Sequence, residues 1–171
     1  DWDVRLAAAD RALHGGVDAW VLLDPVLGSP LVTSGINFLY NLWFFVLFSI
    51  LFWQAFSLKD TALRLQFLLT FVVLWIVMGT VWATMMSSVG PVYYGRTTGL
   101  DDIYAPLMRY LYSVRETFPV WSLATQEALW RAYENGESGL VSGISAMPSM
   151  HVATTVLFAL LGWRHHRLLA W

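Results

Sequence analysis

The 171 residues include no cysteine, which excludes disulfides, thiolate nucleophiles and cysteine-ligated zinc. Charge is nearly as scarce. Charged side chains make up 13% of the sequence, about half the share of an ordinary soluble domain. Lysine occurs once, at Lys59, and the net charge is −2. There is no basic surplus to hold a phosphodiester backbone and no basic patch interleaved with aromatics, so DNA and RNA are excluded as partners. The N-terminal stretch also lacks the basic start and continuous apolar core of a signal peptide.

What fills the chain instead is apolar. Hydrophobic residues reach 57% and tryptophans number ten, a composition that belongs in a bilayer rather than in water. Ile36 to Phe56 runs 21 residues without a charge, enough helix to cross roughly 30 Å of hydrocarbon. After the polar connector Ser57-Leu58-Lys59-Asp60-Thr61, a second apolar segment returns from Leu63 to Met86, and the two read as a helical hairpin. A third span starts near Met150; because His151 to Trp163 is only 13 residues, it extends to about residue 167 or tilts. The expectation is an all-α integral membrane helical bundle with about three transmembrane helices, over residues 36–56, 63–86 and 150–167. They belong to a membrane domain 36–171 that follows an interfacial segment 1–35. Tyr40, Trp43, Trp53 and Trp82 fall near span ends, as an aromatic belt requires, while Trp75 is mid-span and reads as packing. Asn37, Asn41 and Gln54 read as helix–helix hydrogen-bonding groups.

Outside the spans, Leu6, Ala9, Leu13 and Val17 put an apolar stripe on an N-terminal helix that Gly15 and Gly16 should end. Trp20 to Leu23 then reads as interfacial, ahead of Pro25. His14 has no partner at helical spacing and reads as a solvated helix-end residue. The longest polar segment runs from the break at Ser87-Ser88-Val89-Gly90-Pro91 to Gly143 and holds four arginines among six acids, Glu137 the last of them. Within it, Ile103, Leu107, Leu111 and Val114, with Tyr104, Met108 and Tyr112 beside them, predict an amphipathic helix from Asp101 to about Thr117, stopped near Pro119. A second helix, Ser122 to Tyr133, with Leu123, Trp130 and Tyr133 on one side, should close at Asn135-Gly136. Both are expected along the membrane surface, either packing there or roofing a cavity for a lipid tail. Lys59, Arg64, Arg164 and Arg167 stand against Asp60 alone, whereas the other six basic residues face eleven acids. The positive-inside rule therefore puts the two short basic loops in the cytoplasm and the long polar segment outside.

Chemistry concentrates in Ser145-Ala146-Met147-Pro148-Ser149-Met150-His151. Pro148 ends a loop and Ser149 is placed to cap a helix start. The first-turn N–H groups and the positive end of the helix dipole then form a site for an anion, with phosphate the obvious guest. His151, two residues past the cap, is in position to exchange a proton with that anion. The residues alone leave a second reading open, in which His151 is satisfied by a helix-end carbonyl or water and Ser149 is a cap only.

Pro148-Ser149-Met150-His151 resembles the second signature motif, Pro-Ser-x-His, of the type 2 phosphatidic acid phosphatase superfamily. In the longer form Ser-Ala-Met-Pro-Ser-x-His it is similar to the branch containing the inositol phosphorylceramide synthases. The likeness extends from about Ile36 to Trp163, through Gly90-Pro91-Val92-Tyr93-Tyr94. The resemblance implies a multi-pass membrane enzyme, a lipid phosphatase or phosphotransferase of six-helix fold, of which this chain is a fragment. A nucleophilic histidine attacks phosphorus, His151 protonates the leaving oxygen, and arginines with helix-start N–H groups hold the charge. Ser149, Met150 and Arg96 are the implied phosphate ligands. Arg96 stands in for the cation of the first motif although Thr97 occupies its proline position, and an arginine snorkelling to lipid headgroups is the equal alternative.

The third motif, which carries the nucleophile, finds no match here; the resemblance implies it beyond Trp171, after another apolar segment that Leu168-Leu169-Ala170-Trp171 looks to begin. The isolated chain is then expected to be inactive. His165 and His166 lie about 21 Å along a helix from His151, too far to share its phosphorus, and read as a cytoplasmic charge anchor. No metal and no cofactor is called for, since arginine and dipole charge can do that work. The implied partners are a phospholipid or sphingolipid phosphate and the bilayer, with the active-site loop extracytoplasmic and headgroup transfer of the inositolphosphotransferase kind favoured by the branch. The other class of function open to the sequence is a non-catalytic membrane module whose anion turn binds a lipid headgroup or a partner protein. An Arg-x5-His-x3-Asp sequence downstream would separate the two.

Overall fold

A computed structural model describes residues 2–136 and 145–169, the last three as backbone. The expectations for Glu137, for the end of the polar segment at Gly143, for the Arg167 side chain and for Ala170-Trp171 fall outside that description. Among the described residues every regular element is a helix and there is no strand. In chain order these are α1 (Trp2–Leu13), α2 (Ala19–Leu27), α3 (Pro30–Phe56) and α4 (Thr61–Ile76). A π-helical stretch, Val77–Trp82, carries α4 on into α5 (Ala83–Met86). A short 3-10 turn (Pro91–Tyr93) leads to α6 (Tyr94–Thr98), followed by α7 (Ala105–Arg115), α8 (Trp121–Glu134) and α9 (Met150–Leu169).

Local chemistry sets the helix ends. α3 starts at Pro30 rather than Ile36, because Ser29 Oγ accepts the Val32 N–H at 3.3 Å and Pro30 takes the first helical position, where its missing N–H costs nothing. A count of uncharged residues sees neither signal. Asp60 adopts φ 41° and its carboxylate accepts the Leu63 N–H at 2.9 Å, while Arg64 donates back to the Ser57 carbonyl at 2.7 Å. The connector between α3 and α4 is thereby tied at both ends. α2 runs through Pro25 to Leu27 rather than ending before it. α7 starts at Ala105 rather than Asp101, since Asp102 first spends its carboxylate on the Tyr104 N–H at 3.0 Å, holding a turn. Gly136, at φ 64°, follows the end of α8, as its sequence predicts.

The chain folds as two compact units, Asp1–Asn41 with Ser87–Ala146, and Leu42–Met86 with Met147–Trp171. In the first, Ala7, Tyr94 and Tyr104 are buried together with Val4, Trp20 and Ile103 around them. A second cluster joins Val114, Val120 and Leu123, with Met108 and Leu111 packed on it. The buried face of α1 is therefore Asp3 and Ala7, not the expected stripe: Ala9, Leu13 and Val17 are exposed. A carboxylate turned inward at Asp3 sets that rotation. On α8, Leu123 is buried but Tyr133 is exposed, so the expected common face is split. The first turns of α3 bond to the α7–α8 region. Asn37 donates to Ser122 Oγ at 2.7 Å and accepts the Trp121 N–H at 2.9 Å, Thr33 meets the Tyr110 hydroxyl at 3.0 Å, and Ser34 donates to the Pro119 carbonyl at 3.1 Å. Asn37 thus makes the interhelical bonds expected of it, whereas Asn41 bonds the Asn37 carbonyl of its own helix.

In the second unit, Leu63 and Phe67 of α4 bury against Leu157 and Leu161 of α9, with Ile50 and Leu51 of α3 alongside. Two stretches are long and apolar enough to cross a membrane, Pro30–Phe56 and Thr61–Thr98, and only 11% and 6% of their apolar windows are buried. Such helices are not the core of a water-soluble domain. The side chains they leave outside include Phe45, Phe52, Leu69 and Ile76, apolar groups of the kind lipid solvates better than water. α9 has 20 residues but carries Arg164, His165, His166 and Arg167 in its last turns, and is not among those stretches.

Candidate functional site

The turn singled out in the sequence does start a helix. Ser149 Oγ accepts the Val152 N–H at 3.4 Å and the Ser149 carbonyl accepts the Ala153 N–H at 3.0 Å, the pattern of an N-cap. Met150 opens the first turn. Its side chain runs to the π-helical stretch, where the sulfur lies 3.5 Å from the place a Cβ on Gly79 would occupy. Only the backbone N–H of Met150 is left to bear on an anion. One turn on, the hydroxyls of Thr154 and Thr155 donate to the carbonyls of Met150 and His151, each at 2.6 Å. Thr154 is fully buried.

The imidazole of His151 is half-buried against aromatic rings. Trp43 lies under it, ring centroids 4.0 Å apart and planes 32° from parallel, and the edge of Phe44 meets it at 5.6 Å and 85°. Trp43, expected in an interfacial belt, is thus the platform of the histidine. No local signal could have shown it, because α3 and α9 are far apart in sequence. The remaining histidines have other surroundings. His14 is exposed at the end of α1, as expected, but it does have a partner one turn back: its ring nitrogen lies 2.7 Å from the Asp10 carbonyl and 3.3 Å from the Asp10 carboxylate. His165 meets the face of Trp53 edge-on at 5.2 Å, and next to it Arg164 donates to Gln66 Oε1 at 2.6 Å. Among the described residues no group of three or more His, Cys, Asp or Glu is arranged to hold a metal ion.

Arg96 belongs to the other unit. It leaves α6 exposed, and its guanidinium lies over the Trp130 ring, 4.9 Å from the centroid. Trp130 in turn stacks on Tyr93 at 5.2 Å and donates to Glu134 Oε1 at 2.6 Å. Other arginines of this unit are paired with acids: Arg11 grips Asp18 through two bonds of 3.0 and 2.8 Å, and Arg115 meets Glu127 at 2.9 Å. Arg96 makes no ion pair with a described carboxylate; an indole face holds it in place while its N–H edge keeps its donors for another acceptor. The structure therefore gathers Ser149, Met150 and His151 with Trp43, and separately seats Arg96 on Trp130. Asp3, one of five acids in residues 1–35 and without a role in the sequence analysis, is buried among backbone N–H groups.

Against known proteins, a family model described as the PAP2 superfamily matches residues 4–171. It does not single out the inositol phosphorylceramide synthase branch. No curated protein and no solved structure gives a match to the chain. A helical chain with two apolar stretches of membrane-spanning length, and a capped helix start bearing a histidine, meets a family match over nearly its whole length: the chain belongs to the PAP2 superfamily.

Proposed function

We propose that the full-length protein is a membrane phosphatase or phosphotransferase acting on a lipid phosphate ester, with Ser149, Met150 and His151 as its phosphate-handling turn. The observation that carries this reading is the N-cap of α9 with the His151 ring, two residues on, lying against Trp43. A helix start offers fixed N–H donors to an anion, and a ring clamped from below presents its nitrogen in one direction. Family membership supports phosphatase-like chemistry on a phosphorylated lipid. In this reading a nucleophilic histidine outside the present chain attacks phosphorus and forms a phosphohistidine. His151 gives its proton to the departing ester oxygen, and the Met150 N–H holds charge on an equatorial oxygen. Water or a second lipid alcohol then takes the phosphoryl group.

Four finer points belong to the same proposal. α9 is a third span, ending in the basic cluster of residues 164–167. The turn faces the extracytoplasmic side, and α2, whose Val21, Leu22, Leu23 and Val26 are exposed, lies in the interface with α7 and α8. Headgroup transfer between lipids rests on the seven-residue motif 145–151 alone. In the full-length protein, His151→Ala should lower phosphate release from a lipid phosphate by about 10²–10⁴-fold, and kcat should fall as pH rises through the imidazole titration, because an acid acts only while protonated. Equal rates for wild type and His151→Ala would remove His151 from the mechanism.

A further inference from the structure

Asp3 sits on the first turn of α1 with only 7% of its surface exposed. Its Oδ1 accepts the Ser88 hydroxyl at 2.7 Å and the Gly90 N–H at 2.8 Å, and its Oδ2 accepts the Val89 N–H at 3.2 Å. Hydrogen bonds to a carboxylate are shorter and roughly twice as strong as neutral ones, so three of them make a firm hold on a loop of three residues. That loop holds something in turn. The Ser88 carbonyl accepts the Ala146 N–H at 2.8 Å. Gly90, at φ +79°, approaches Ala146 so closely that a Cβ added to it would lie 2.5 Å from the alanine Cβ. Only glycine satisfies both the backbone angle and the contact. Ala146 is joined through Met147 and Pro148 to Ser149, the cap of the phosphate turn.

We propose that Asp3 is a positioning residue for the phosphate turn: acting through Ser88–Gly90, it fixes Ala146 and with it the chain entering Ser149 and His151. The inference rests on the functional reading above for its catalytic consequence. The clamp links an N-terminal helix that touches no reacting atom to the residues that would. Loss of such remote support is felt at the chemical step, where a misplacement of about 1 Å can cost about a hundredfold.

The test compares full-length wild type with Asp3→Ala and the milder Asp3→Asn. Amide hydrogen exchange is followed in peptides covering 88–90 and 145–147, and kinetics are measured on phosphatidic acid in detergent micelles. Both peptides should lose protection while the interior of α4 is unchanged. Per folded molecule, kcat should fall about ten- to a hundredfold with a smaller change in KM. Asp3→Asn should be intermediate, since one oxygen remains for Ser88 and Gly90 while its amide group opposes the Val89 N–H. Release of 88–90 with 145–147 still protected would overturn the proposal, as would release of both with kcat unchanged. If wild type frees no phosphate the functional reading fails, and exchange at 145–147 still decides: protection lost in Asp3→Asn upholds the clamp, protection kept refutes it. Should Asp3→Ala not fold, Asp3→Asn and Ser88→Ala carry the same comparison.

Discussion

Trp43 and His151 show what a single pair of side chains contributes. Stacked aromatic rings are worth about 0.5–1.5 kcal/mol beyond their burial, enough to hold the imidazole against rotation. Trp43→Ala in the full-length protein should therefore lower kcat about 2- to 10-fold, and Trp43→Phe should restore most of it by keeping a ring face under His151. Steady-state rates on a lipid phosphate, normalised to folded protein, check this; a rate insensitive to both changes would leave Trp43 as packing. The turn itself was legible in the sequence because capping is local, a matter of Pro148, Ser149 and the apolar run behind them. Trp43 and Asp3 were not, because their roles come from residues distant in the chain. An aromatic near a span end has many uses, and an acid among N-terminal acids carries no local sign of the backbone donors it will meet.

Helix ends are where element-level reading succeeded and failed for identifiable reasons. The break after Met86 and the stop at Asn135-Gly136 follow from glycine and loop chemistry written in the sequence. α7 starts four residues after the expected Asp101, and α3 begins ahead of the expected span, since apolar periodicity marks the middle of a helix and the bonds of Ser29 and Asp102 mark its edge. The π-helical stretch Val77–Trp82 had no anticipated signal at all. Asp60 offers a direct measurement. It combines a left-handed backbone with a cap bond to Leu63, so Asp60→Ala loses the bond and gains strain, costing about 1–2 kcal/mol. Asn tolerates that conformation and still caps, so Asp60→Asn should stay near wild type. Thermal unfolding in detergent should place Ala well below Asn; equal midpoints would show that the cap contributes nothing.

At the scale of the molecule, the helical architecture of the described residues and the two long apolar stretches were legible from composition, because a bilayer demands both. The division into two units was not, since it cuts α3 after Asn41, inside an uninterrupted apolar run. Orientation can be read directly on a protein without cysteine. A single cysteine at Lys59 should react with a membrane-impermeant thiol reagent only from the cytoplasmic side, and one at Glu116 only from outside. Labelling at 59 only from outside and at 116 only from the cytoplasm would reverse the charge argument and move the phosphate turn to the other leaflet, and labelling of both from one side would show that α4 does not cross.

The π-helical stretch has one further consequence. Its turns each hold about one more residue than the α-helical turns on either side, so it is slack stored in an otherwise taut rod. Elsewhere in α4, losing one residue would swing every later side chain by about 100° around the axis. Here the wide turn tightens to an ordinary one instead, and the side chains of α5 keep their faces.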